Sequence, residues 1–172
     1  MFGRRRMKKK EKEVKPIIID VKKDLSQDEI ESAKFNLKSE SISEMTCIGV
    51  FEYIPGKDRG RFLDEIYRVL IPGGKAAFRV PYWNTYAAIQ DYAYEWPPLC
   101  EASFCYFDKV QRESIGLTKE IRPILCDFEV SFGYDVPPEI AGKNDETRSY
   151  SIKHYANVIN ALNVVLTKRI KK

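Results

Sequence analysis

The stretch that most constrains the fold of this chain runs from Asp58 to Trp83, DRGRFLDEIYRVLIPGGKAAFRVPYW. Phe62, Ile66, Val69 and Leu70, with Leu63 beside them, recur at the spacing of one helix face. Pro72-Gly73-Gly74 follows, which predicts that the helix stops there with a glycine available for a left-handed C-cap. KAAFRVPYW (Lys75–Trp83) then reads as a strand. A helix joined so tightly to an apolar strand is the second half of a βαβ unit.

Upstream segments supply the earlier strands. VKPIIIDV (Val14–Val21) is a short β-branched run, predicted to be a strand covered on both faces. LSQDEIESA (Leu25–Ala33) predicts a short helix or turn, with Ser26 as N-cap and Glu29 three residues on as its capping-box partner. MTCIGVFEYI (Met45–Ile54) is a second buried-strand candidate, broken by Pro55-Gly56. Two βαβ units in a row imply a parallel sheet with right-handed crossovers.

The middle of the chain, Asn84 to Ser114, is aromatic and irregular, with Pro97-Pro98 at its centre. It is too long for a simple connection, and such insertions in compact domains usually serve function or an interface. Beyond it, CDFEVSFGYDV (Cys126–Val136) alternates as a strand. Asn144 to Leu162 reads as a helix capped by Asn144 or Asp145, and NVVLTKRI (Asn163–Ile170) as a final strand. Glu65 and Arg68 are spaced for an ion pair on one helix face.

At 172 residues the chain is long enough for one domain with a real core. The reading is a basic arm over residues 1–15 and a domain over 16–172, with the aromatic insertion at about 84–114 inside it. The net charge of +4 conceals an uneven distribution. Residues 1–15 carry eight Lys/Arg against two Glu, and residues 168–172 carry four Lys/Arg, so the body between them is acidic. The basic arm suits contact with a polyanion or nucleic acid; the acidic body does not. No apolar run approaches a membrane span, and no membrane association is expected. The N-terminus lacks the apolar core of a secretory signal, so the expected location is the cytoplasm. Cys47, Cys100, Cys105 and Cys126 form no CxxC pair and lie far in sequence from His154, the single histidine. They read as reduced thiols rather than as a metal site.

Several of these segments, in order, resemble class I S-adenosylmethionine-dependent methyltransferases. FLDEIYRVLIPGGKAAFRVP is similar to a helix-turn-strand segment of that family. CIGVFEYIP is similar to the end of its fourth strand, with Glu52 at the acid and Tyr53 where His is common. DYAYEWPPLCEASFCYFDKVQRE and CDFEVSFGY resemble short methyltransferase-like proteins of phage and environmental sequences. Asp91 matches an Asp-Pro-Thr-His-like stretch there, while Tyr92 replaces the Pro and Tyr94 the His. The resemblance covers about residues 17–170. It implies an α/β fold: an incomplete Rossmann-like three-layer sandwich with a mainly parallel sheet and an antiparallel C-terminal strand.

The resemblance also implies S-adenosylmethionine as cofactor. IIIDVKKDLS matches the family's third-strand region, placing Asp24 and Leu25 at the adenine edge. Cys47, Gly49 and Glu52 would lie under the methionine side. Asp91 and Tyr94 are the catalytic candidates, and Trp96, Glu101 and Tyr106 the substrate-loop candidates; no metal is implied. As a replacement for His, Tyr94 would donate a hydrogen bond rather than act as a base, since a phenol loses its proton only near about pH 10. The family grips its cofactor with a Gly-rich turn after its first strand, yet Gly3 is the only glycine ahead of Gly49. On this alignment the first two strands and their helices are not represented. Three functional expectations follow. One is a methyltransferase-like domain, with a partner chain or self-association completing the sheet. Another is a non-catalytic structural or assembly subunit on the same fold. The third is a truncated product without selected function. In the phage-like context, the cytoplasm is that of an infected cell.

Overall fold

The computed structural model describes residues 17–116 and 124–170. The basic arm expected over residues 1–15 lies outside the described residues. Five strands, β1 (Ile18–Asp20), β2 (Ile42–Ile48), β3 (Leu70–Pro81), β4 (Phe128–Asp135) and β5 (Ala161–Lys168), form one open sheet in the order β1-β2-β3-β5-β4. β1, β2 and β3 are parallel, and β5 runs antiparallel to both of its neighbours. The α/β fold with its antiparallel C-terminal strand is thus observed.

The core lies against one face of this sheet. Met45 pairs with Ala76 and Cys47 with Phe78, and across the antiparallel seam Val164 and Leu166 meet Phe78 and Ala76. All six are buried. Helix α3 (Arg59–Val69) lays Phe62, Leu63, Ile66 and Val69 into that core. The rings of Phe51, Phe62, Phe78 and Phe104 join it, with Phe51 lying 5.3 Å from both Phe78 and Phe104. The opposite face follows a different rule. Its central row runs from Ile18 through Glu44 and Lys75 to Thr167. The strand expected over Val14–Val21 is therefore not covered on both faces. Among the described residues it is a three-residue edge strand whose Ile18 is 60% exposed, because the pleat puts that side chain in the polar row.

Pro72-Gly73-Gly74 also acts differently from the expectation. Helix α3 ends at Val69 with Leu70 already extended, and the three residues lie inside β3. They sit where the register with β2 slips between Ile42 and Glu44. Gly73 has φ +81°, and a Cβ at Gly74 would stand 2.9 Å from the Ile71 carbonyl oxygen. The glycines therefore permit a bulge packed closely against the neighbouring strand, rather than a helix cap.

Two short helices, α1 (Val21–Asp24) and α2 (Gln27–Ser32), connect β1 to β2. Ser26 and Glu29 form the reciprocal capping box read from the sequence. The insertion folds into a 3₁₀ turn (Tyr86–Ala88), α4 (Glu101–Cys105) and α5 (Lys109–Ser114). After β4 come α6 (Pro138–Ala141) and α7 (Asp145–His154), the latter capped by Asn144. Helix α7 is shorter than the expected Asn144–Leu162. Tyr155 turns extended, and Asn157 takes a left-handed φ of 59° to aim the chain into β5 at Ala161. Among the described residues no helix is long and apolar enough to cross a membrane.

Candidate functional site

The parallel strands end on one rim, and the chain places its chemistry there. Straight after β2 come Gly49, with φ +67°, and a 3₁₀ turn at Phe51–Tyr53. Phe51 turns inward to the phenylalanine cluster, and this anchors the next residue, Glu52, at the top of the core. Glu52 is 7% exposed, and its Oε2 is buried without a hydrogen-bond partner in the described structure. Burial pushes its carboxyl above the ordinary glutamate range, against the pull of local backbone N–H groups, Lys22 and Arg59.

Arg59 holds the aromatic loop over this carboxylate. It donates to the carbonyls of Ile54 (3.0 Å), Pro97 (2.7 Å) and Glu95 (2.9 Å). The Glu95 N–H in turn donates to the Glu52 carbonyl at 2.9 Å. Arg59 and Glu52 help line a cavity of about 10 Å³ together with Pro81, Tyr94 and Leu99, room for roughly one water. The sequence reading did not single out Arg59. One signal was present: a cation in the first turn of a helix opposes the helix dipole, so its presence there asks for a tertiary reason.

Of the catalytic candidates, Asp91 and Tyr94 come together through Tyr53. The Tyr53 hydroxyl donates to Asp91 Oδ2 at 3.1 Å, and the Tyr53 and Tyr94 rings meet edge to face at 5.0 Å. Burial raises the pKa of Tyr94, as it does that of Tyr53 together with the Asp91 contact. Both phenols therefore stay protonated, as donors, at neutral pH.

The substrate-loop candidates do not converge. Trp96 is 79% exposed on the loop that Arg59 pins. Glu101, at the start of α4, accepts from the Tyr82 hydroxyl at 3.2 Å and from the Tyr134 hydroxyl. Burial first, and then this carboxylate, raise the pKa of Tyr134. Tyr106 closes α4, and its carbonyl accepts from Arg112.

The implied donor, S-adenosylmethionine, carries an adenosine and a cationic sulfonium, and the rim can be tested against both. No glycine follows β1. Asp20 instead caps α1 by accepting from the Lys22 N–H at 3.2 Å, pairs with Lys23 at 2.9 Å, and gives its own N–H to Asp24 Oδ2 at 2.7 Å. Asp24 is thereby engaged in its own turn, while Leu25 and Cys47 are packed in the core. Burial drives the Cys47 thiol far above its ordinary pKa. Lys22 then reaches over Gly49, its Nζ 3.3 Å from where a Cβ would stand. This puts an ammonium on the approach to Glu52, where a sulfonium would meet like charge. The residues present at this rim do not fit the donor.

The family model described as a methyltransferase domain matches residues 4–78. None of the curated proteins matches the sequence. Among solved structures, the chain is similar to a SAM-dependent methyltransferase from Archaeoglobus fulgidus. They share 10% identity over 89% of this chain and 86% of that one, with a TM-score of 0.59. A methyltransferase from Methanosarcina mazei is also similar, at 13% identity over 80% of this chain and 64% of that one, with a TM-score of 0.46. At such identities the likeness to the Archaeoglobus protein shows the fold: the sheet is of the methyltransferase, Rossmann-like kind.

Proposed function

We propose that this chain is a methyltransferase-like domain that keeps the acceptor-side framework of the fold and does not by itself hold S-adenosylmethionine. The family match over residues 4–78 and the fold support the methyltransferase-like part of this reading. The observation that carries the second half is the Lys22 ammonium above Gly49, with Asp20 and Asp24 committed to the α1 turn. In this reading Arg59 and the Asp91–Leu99 loop serve binding or assembly rather than methyl transfer. Isothermal titration of the full chain with S-adenosylmethionine and S-adenosylhomocysteine tests it. No heat of binding at millimolar ligand is expected; saturable micromolar binding would overturn the proposal.

A second reading is favoured by the edge beside β1, which no strand pairs among the described residues. An open edge of this kind is a template for another chain. A second copy would extend the sheet there, and a partner of different sequence could also bring the missing glycine turn. Asp24 and Gly49 would then face the cofactor, Asp91 and Tyr94 the methyl acceptor, and Trp96, Glu101 and Tyr106 the rest of the substrate. Light scattering combined with the same titration decides it: a monomer that binds no cofactor removes self-completion.

A further inference from the structure

We infer that the cleft between the loop Trp83–Ile89 and the C-terminal end of α7 is a nucleotide site, with the base lying against Trp83 and Tyr86 and the phosphate at Lys153 and His154. Neither Lys22 nor Gly49 lines this cleft, and the inference stands whether or not the rim holds a sulfonium cofactor.

Its size is the first argument. It encloses about 560 Å³, within the roughly 300–1,000 Å³ of small-molecule sites. Its rigidity is the second. The Tyr86 N–H donates to Asn157 Oδ1 at 2.7 Å, and the Asn157 N–H donates to the Asn84 carbonyl at 3.2 Å. Thr85, itself buried, donates its hydroxyl to the Tyr82 carbonyl at 2.8 Å. The Trp83 N–H is held by the Leu99 carbonyl at 3.0 Å. A loop tied at so many points cannot fold its rings inward. It holds Trp83 and Tyr86 outward, 52% and 72% exposed, facing a segment whose Tyr155 is 57% exposed. Fixed aromatic faces of this kind are stacking platforms for planar bases.

Charge is the third argument. The body of the chain is acidic, yet the residues that line this cleft include Lys153 and His154 and no Asp or Glu. The cavity beside Arg59 holds Glu52 and Glu95, and the cleft along α3 holds Glu40, Asp64 and Glu65. An acid-free cleft on an acidic body selects an anion. The α7 C-terminus brings only a fractional negative charge, which the full charge of Lys153 outweighs. The Asn84 amide nitrogen donates to the Tyr155 carbonyl at 3.5 Å, a further tie between the two walls of the cleft.

The test uses the full chain carrying Trp96→Phe, which leaves Trp83 as the only tryptophan. Its fluorescence is titrated with AMP, GMP, CMP and UMP, with the matching nucleosides, and with ribose 5-phosphate. Saturable quenching by at least one nucleotide and none by ribose 5-phosphate is expected. Tyr86→Ala should weaken that nucleotide about ten-fold. Lys153→Gln should weaken the nucleotide to the level of its nucleoside while leaving the nucleoside unchanged. Circular dichroism confirms that each variant is folded; both changes are at exposed positions. No quenching by any nucleotide, or unchanged affinity in Tyr86→Ala, overturns the site. Unchanged discrimination between nucleotide and nucleoside in Lys153→Gln overturns the placement of the phosphate.

Discussion

Helix α3 opens on Arg59 and carries Arg68 in its last turn, and these two are held in different ways. At the C-terminal end Arg68 meets Glu65 through two bonds, at 2.8 and 2.7 Å. It also donates to the carbonyls of Phe35 and Leu37, while Glu65 accepts from the Phe35 N–H at 2.8 Å. Every charge there has its counter-charge, and the pair fastens the connector between α2 and β2. At the N-terminal end Arg59 donates to the carbonyls of Ile54, Glu95 and Pro97, and no carboxylate among the described residues pairs with it. The nearby Glu52 stays buried with an oxygen unpartnered. The lower end is ordinary structural electrostatics. The upper end keeps an unspent carboxylate and an unpaired-by-contact cation at the mouth of the parallel strands, where α/β folds place their ligands. Buried groups without a protein partner are rare in folded proteins and call for an explanation.

The largest expected effect comes from Arg59→Ala. It frees three carbonyls and unpins the aromatic loop, and denaturant unfolding should register a loss of about 3–4 kcal/mol. Amide exchange should accelerate over Asp91–Leu99 and stay unchanged around Phe35. Equal acceleration in both places would remove the contrast between the two ends.

Glu65→Ala should cost less, about 2 kcal/mol at neutral pH, because Arg68 retains its carbonyl acceptors and remains partly solvated. The Arg68 guanidinium and, to a lesser extent, the Phe35 N–H hold the Glu65 carboxyl below the ordinary glutamate range. Its stabilisation is therefore complete above that range and fades as the pH falls through the folded-state value. Urea midpoints of wild type and variant should converge in acid.

Glu52→Gln should act in the opposite sense. Burial raises this carboxyl in the folded state, so ionisation opposes folding once the pH exceeds the ordinary glutamate range. The variant should gain about 1 kcal/mol at neutral pH and nothing in acid, where wild-type Glu52 is protonated in both folded and unfolded chains. A loss of stability at neutral pH would mean that Glu52 is paired after all.

Much of the fold is legible along the chain because it rests on local rules. The 3.6-residue spacing of Phe62, Ile66 and Val69 gives α3 and its buried face, though not its end. Ser26 and Glu29 specify a cap that needs no tertiary partner. The alternation from Cys126 to Val136 gives β4. Pro72-Gly73-Gly74 marked a break correctly but not its kind, since a glycine at positive φ serves a bulge as well as a cap. Which one forms depends on β2 lying alongside. The end of α7 was missed for a similar reason: only the hydrogen bonds between Asn157 and the Trp83–Ile89 loop draw the chain away from the helix.

The candidate site divides along the same line. Glu52, Asp91 and Tyr94 were visible as residue types in a resembling order, and the sequence by itself also determined that no glycine lies between Gly3 and Gly49. That Tyr53 joins Asp91 to Tyr94, that Arg59 clamps a loop about 36–38 residues away, and that Lys22 fills the space over Gly49 were decided only by the tertiary structure. Periodicity and capping are encoded within a few residues of each other. Long polar side chains, in contrast, find their partners only once the strands are in register, and it is those partners that set what the rim can bind.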